Sequence, residues 1–200
     1  MAHNQRIGIY GGSFDPVHNG HIILANHFIK HLNLDCLIII PTVNAPHKDG
    51  AIADANHRYI MLKLAYNNID KVHISDIEIN RKGKSYTSDT ILELRKLYQN
   101  DKLYLCMGED MFITLDSWHK PNIIFEHCII CVVPRESNKK YIDFSYKFKE
   151  NYNANIKIIK MEPIDISSTD IRNQLKQNKN AQSKLPKNIL EYINKNNLYL

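Results

Sequence analysis

Residues Gly11 to His21 read GGSFDPVHNGH and follow a short apolar run, Arg6-Ile7-Gly8-Ile9-Tyr10. Two glycines let a backbone turn sharply and come close to a ligand. His18 or Asn19 can cap a helix that opens near Gly20 and continues through His21-Ile22-Ile23-Leu24-Ala25. Free N–H groups and the positive end of a helix dipole favour an anion at such a tip. His18 and His21 are three positions apart, so they share one face of the helix start. They add donors there, and positive charge when protonated. The chemistry this predicts is phosphate binding. A lone glycine turn would read as structural; here it coincides with two histidines at a helix start. A metal site is the rival, but no third ligand at a matching spacing accompanies the pair. Asp15-Pro16 shapes the turn, with Asp15 expected to bond backbone rather than react.

A second helix tip follows late in the chain, at Ile166-Ser167-Ser168-Thr169-Asp170-Ile171-Arg172. Ser167, Ser168 or Thr169 can cap it, and Asp170 suits its first turn. Arg172, read as lying within that turn, carries a planar fork that matches phosphate. A serine cap alone needs no ligand. Ser85–Thr90 opens another helix after the basic loop Arg81-Lys82-Gly83-Lys84, with Thr87 or Ser88 as its cap. Gly108-Glu109-Asp110 ends an apolar strand, where Asp110 is placed to accept from ribose hydroxyls. Trp118, the single tryptophan, has polar neighbours and reads as a loop residue.

These blocks carry a family resemblance. His18-Asn19-Gly20-His21 resembles the H-x-G-H signature of the nucleotidyltransferase superfamily related to class I aminoacyl-tRNA synthetases. GGSFDPVHNGH as a whole resembles the opening of bacterial nicotinate-nucleotide adenylyltransferases. Pro46-His47-Lys48, Ser85–Thr90, Gly108–Asp110 with Trp118, and Ile166–Arg172 fit that family in its own order. Ala45 departs from it, standing where the family has the first of two adjacent prolines. The resemblance implies ATP at Gly11, Gly12, Ser13, Phe14, His18, His21, Gly108, Asp110, Ile166, Ser168, Thr169 and Arg172. It implies nicotinate mononucleotide at Lys48, Tyr86, Thr87, Trp118, His119 and Arg135, with the tryptophan stacked on the pyridine ring. His18, His21, Lys48 and Arg172 are the expected catalytic groups. Mg²⁺ is expected on the ATP phosphates, with no dedicated metal site on the protein.

The elements that must hold these residues are legible too. Strand patterns at Ile7–Tyr10, Cys36–Ile40, Val72–Ile79, Leu103–Met107, Cys128–Val133 and Ile156–Lys160 alternate with helical ones. The helical patterns are His21–His31, Ala55–Tyr66, Ser88–Tyr98, Met111–Leu115 with Asn122–Glu126, and Phe144–Asn151. Ser168–Gln177 and Lys187–Asn194 follow as C-terminal helices. Near-continuous apolar strands separated by helices predict an α/β, Rossmann-like, doubly wound parallel sheet of about six strands. The common order 3-2-1-4-5-6 makes the first and fourth strands neighbours at the switch point, where such sheets bind ligands. Gly11-Gly12 and Gly108–Asp110 both fall there.

Length and composition set the outer limits. Two hundred residues, 44% hydrophobic and 24% charged, suit one globular domain. A net charge of +5 fits a polyanionic ligand or a solvated lysine-rich surface. The basic stretch Lys176–Lys184 reads as an exposed loop. Cys128 and Cys131 have C-x-x-C spacing, but on a strand they face opposite sides, so buried reduced thiols are expected. No apolar run is long enough to span a bilayer, and no signal-peptide pattern opens the sequence. A cytoplasmic enzyme is predicted, with no nucleic-acid or membrane partner and with homo-oligomers open.

A phosphate monoester has a second pKa near about 6, so the mononucleotide needs no general base to attack ATP. Positioning and charge neutralisation then carry the reaction. The rival readings are a sister enzyme acting on nicotinamide mononucleotide or another small phosphate, a dinucleotide sensor, and a nucleic-acid-binding module. The last lacks a basic helix or an aromatic-interleaved patch.

Overall fold

The fold comes from a computed structural model that describes residues 4–43, 52–81, 83–134, 139–177, 179 and 181–199. In chain order the elements begin β1 (Arg6–Gly12), α1 (Asn19–Leu32), β2 (Cys36–Pro41), α2 (Ala55–Tyr66), β3 (Val72–Ile74) and α3 (Ile77–Asn80). They continue α4 (Thr87–Leu97), β4 (Lys102–Gly108), α5 (Glu109–Phe112), α6 (Pro121–His127), β5 (Cys128–Val133) and α7 (Lys140–Tyr152). Last come β6 (Ile156–Ile158), α8 (Ser168–Lys176) and α9 (Lys187–Lys195). A single 3₁₀ turn, Leu115–Ser117, links α5 to α6.

Among the described residues the strands form one parallel sheet in the order β3-β2-β1-β4-β5-β6. That is the common doubly wound order, with β1 and β4 adjacent at the switch point. Successive side chains on a strand point to opposite faces, and the core divides accordingly. Ile7 and Ile9 of β1, Ile38 and Ile40 of β2, and Leu103, Leu105 and Met107 of β4 pack on one face, against α4, α6 and α7. Tyr10, Leu37, Ile39, Tyr104 and Cys106 pack on the other, against α1, α2, α8 and α9. Cys128 joins the first layer and Cys131 the second, as alternation requires, and all four thiols are free.

Several boundaries differ from the sequence reading. The third strand ends at Ile74, and Ile77–Asn80 turns into a short helix. The apolar alternation there is real, but Ser75 and Asp76 divert the chain: the Ser75 hydroxyl accepts from the Ile77 N–H at 3.3 Å and Asp76 becomes an N-cap. The sixth strand stops at Ile158. The pattern placed at Met111–Leu115 is α5 plus the 3₁₀ turn. The helix expected over Phe144–Asn151 starts earlier, at Lys140. Lys176–Lys184 is not merely exposed. Ala181, like Leu185 just beyond it, is buried, and the Ser183 and Lys184 carbonyls reach back to Asn19.

Candidate active site

The sheet opens where the topology reverses. β1 pairs with β4 only from Arg6↔Lys102 to Ile9↔Leu105. Beyond that, Tyr10–Gly12 continue to pair with β2 as far as Pro41, and Cys106–Gly108 pair with β5 as far as Val133. The two central strands therefore part company over their last three residues. This leaves a crevice at their carboxyl ends, the general location of ligands in such sheets. Gly11 and Gly108 flank it, and an added Cβ at either would meet no atom within 4 Å.

One wall of the crevice is the tip of α1. His18 is its N-cap, in extended conformation, and its backbone N–H donates to Nδ1 of His21 at 3.2 Å. A nitrogen that accepts cannot carry the proton, so His21 carries its proton on Nε2. The two imidazoles stack with centroids 3.7 Å apart. Gly20 makes this possible: a Cβ there would lie 3.0 Å from His18 Nδ1 and 3.1 Å from Ile164. His18 is 5% exposed, and burial lowers its pKa to about 4. In the free protein it is thus a neutral donor, not the cation that helix-tip reasoning allowed. Phe14 has φ +48° and a fully buried ring, which packs edge-on to Tyr10 and His21 at 5.3 and 4.9 Å. Its ring is therefore part of the core.

Beside it, on the same face of the sheet, lies the tip of α8. Ser167 is the cap that forms, accepting from the Asp170 N–H at 3.1 Å and donating to its carboxylate at 2.7 Å. Ser168 donates to the Pro16 carbonyl at 3.0 Å. Arg172 lies at the fifth helical position, past the first turn, and its Nη1 donates to the Asp15 carbonyl at 2.7 Å while Nη2 reaches Thr169 Oγ1 at 3.2 Å. Ile166 packs its side chain into the neighbouring core, and Thr169 stays exposed. The two helix tips are bolted together through the loop after β1.

Candidate residues for a second ligand come from the other face of the sheet. Neither Thr87 nor Ser88 caps α4; Tyr86 is the N-cap and Thr87 the first helical residue, while Ser88 is fully buried. The Tyr86 ring lies 4.2 Å from that of His119. Trp118 ends the 3₁₀ turn, half-buried against the core, with its indole N–H donating to Thr114 Oγ1 at 3.2 Å. Asp110, exposed at the start of α5, follows the buried Glu109, which accepts from the Tyr141 N–H at 3.2 Å. Lys48 and Arg135, with the Pro46-His47-Lys48 block, lie outside the described residues.

Two supporting residues went unread in the sequence. Arg58 is 1% exposed and donates to three carbonyls: Ser13 (2.7 Å), Thr42 (2.8 Å) and Ala53 (3.1 Å). Burial lowers its pKa, and the nearby Asp15 opposes that. Its signal was available, because Arg58 occupies the same inward stripe of α2 as Met61 and Leu62. Asp15 does bond backbone, as expected, accepting from the N–H groups of Ile52 (2.7 Å) and Ala53 (3.1 Å). Its further bond from the distant Tyr199 had no sequence signal.

The cytidylyltransferase-like family matches across residues 9–174, which spans both helix tips and the crevice. A protein of Borreliella burgdorferi described as a probable nicotinate-nucleotide adenylyltransferase is 40% identical over 200 residues, covering 98% of this chain and 97% of its own. One of Clostridium novyi with the same description is 37% identical over 198 residues, covering 98% and 99%. The chain belongs to the nicotinate-nucleotide adenylyltransferase family. Among solved structures, Plasmodium falciparum nicotinic acid mononucleotide adenylyltransferase complexed with NaAD superimposes with a TM-score of 0.82 over 98% of both chains, at 22% identity. A putative nicotinate-nucleotide adenylyltransferase of Vibrio parahaemolyticus gives 0.71 at 18% identity, covering 98% of this chain and 95% of its own. Both share the fold of this adenylyltransferase. No helix among its described residues is long and apolar enough to cross a membrane.

Proposed function

We propose that this protein transfers the adenylyl group of ATP to nicotinate mononucleotide, giving nicotinate adenine dinucleotide and pyrophosphate in the cytoplasm. The carrying observation is the parting of β1 and β4 beside two helix tips joined through the loop after β1, one bearing the stacked His18–His21 pair and the other Arg172. An anion held at these tips meets the amide dipoles of both helices.

ATP lies along this crevice, its phosphates over the backbone of Gly11, Gly12, Ser13 and Phe14 and its nucleoside toward Gly108, Asp110 and Ile166. His18 and His21 donate to the α- and β-phosphates. Arg172, Ser168 and Thr169 serve the β/γ end, and Lys48 is the further catalytic group assigned to the mononucleotide. The substrate is ATP with Mg²⁺ on its phosphates. Among the described residues no three His, Cys, Asp or Glu side chains group to hold a metal. The ion is proposed to be held mainly by phosphate and water. The mononucleotide sits on the opposite layer, its pyridine between Trp118 and the Tyr86–Thr87–His119 group and its phosphate at Arg135.

The monoester oxygen attacks the α-phosphorus, the α–β bridging bond breaks, and its electron pair leaves with pyrophosphate. The attacking phosphate is already largely deprotonated at neutral pH, so no side chain need take a proton. A neutral imidazole at His18 suits the task, because a fixed donor aimed at developing charge costs no reorganisation. The test is pyrophosphate release from ATP with nicotinate mononucleotide and, separately, nicotinamide mononucleotide. The expected result is turnover with a preference for the acid. Release with neither rejects the proposal.

A further inference from the structure

His18 is bracketed by two anchors from beyond α8. On its C-terminal side, the Asn19 backbone N–H donates to the Lys184 carbonyl at 2.9 Å, and the Asn19 side-chain amide donates to the Ser183 carbonyl at 3.1 Å. On its N-terminal side stands Asp15, whose carboxylate accepts the Tyr199 hydroxyl at 2.5 Å, a contact spanning 184 positions of sequence. The Tyr199 ring is 5% exposed and its backbone is left-handed, with φ +65°. Burial first, and then its bond to Asp15, raise the Tyr199 pKa far above the ordinary tyrosine value, so the hydroxyl stays a donor. Two backbone amides share the same carboxylate. The Asp15 main-chain carbonyl holds Arg172. One residue thus joins the region after α9, the segment at 52–53 and the tip of α8, three positions before the N-cap histidine.

We propose that Tyr199 is a positioning residue for adenylyl transfer: through Asp15 it sets the loop that aims His18 and Arg172 at the phosphates. The inference rests on the reaction proposed above. A bond that only added stability would be expected to affect melting and leave turnover alone. A bond that fixes the loop against its own alternatives affects the transition state more than substrate capture.

The experiment compares Tyr199→Phe with Tyr192→Phe. Tyr192 is on α9 and its hydroxyl meets His57 Nδ1 at 2.9 Å, a long-range link that does not touch Asp15. Steady-state kinetics are taken well below each variant's melting temperature, with circular dichroism matching the unsubstituted protein. The expected result is a 5–50-fold fall in kcat for Tyr199→Phe, with KM for the mononucleotide within twofold, and kcat within twofold for Tyr192→Phe. If Tyr199→Phe does not fold, Asp15→Asn, which keeps the backbone carbonyl, is expected to show the same fall in kcat. Parent-like kcat in whichever of the two folds, or an equal loss in Tyr192→Phe, overturns the inference alone. An unsubstituted protein that releases no pyrophosphate overturns the proposed reaction, and the inference with it.

Discussion

The guanidinium of Arg172 is 2.7 Å from the backbone carbonyl of Asp15, a residue 157 positions earlier in the sequence. That bond ties the tip of α8 to the loop that leads into α1. Arg172 is only partly buried.

Arg172→Lys keeps the charge and loses the planar fork. A hydrogen bond to a charged group contributes about 1.5–3 kcal/mol, so kcat/KM for ATP is expected to fall roughly 10–100-fold. KM for the mononucleotide is expected to change little. Initial rates at varied ATP and fixed mononucleotide check this; equal loss for both substrates would point to a general distortion.

His18→Ala and His21→Ala each remove a donor from the crevice. Loss of one such donor costs about 10²–10³ in kcat in comparable electrostatic sites. Circular dichroism is expected to show the fold retained. Near-normal turnover in either purified variant would remove that histidine from the proposed chemistry.

Stability carries a mark of the buried imidazole. His18 titrates near 4 in the folded state, below its unfolded value of 6.5, because burial disfavours the charged form. The unfolded chain therefore binds more protons between these values, and stability falls as pH drops from about 6.5 to 4. The full effect reaches roughly 3 kcal/mol below pH 4, at about 1.4 kcal/mol per unit. Urea melts at pH 7, 6, 5 and 4 are expected to show a shallower slope for His18→Asn than for the unsubstituted protein. Identical slopes would mean that His18 is not desolvated.

Trp118→Ala tests the pyridine side. Aromatic stacking beyond area contributes about 0.5–1.5 kcal/mol, so KM for the mononucleotide is expected to rise roughly 2–15-fold, with kcat less affected. The ring is half-buried against the core, so a modest drop in melting temperature accompanies it. Outright unfolding would make Trp118 a core residue instead.

Much of this was written in local sequence. The glycine turn, the histidine spacing and the serine cap at Ser167 depend on neighbours within a few positions. So does the apolar alternation that sends Cys128 and Cys131 to opposite faces. Strand order followed from a general topological preference, and it put Gly11 and Gly108 at the ends of adjacent strands. Tertiary structure decided what no local pattern encodes. The neutrality of His18 depends on burial by elements far along the chain. The roles of Arg58 and Tyr199 depend on carbonyls and a carboxylate that the fold delivers to them. The ends of β1 and β4 part because each keeps its outer partner after losing the other. Short-range periodicity can announce a strand, but only the assembled sheet determines which hydrogen bonds go unmade, and here that is where the substrates are proposed to enter.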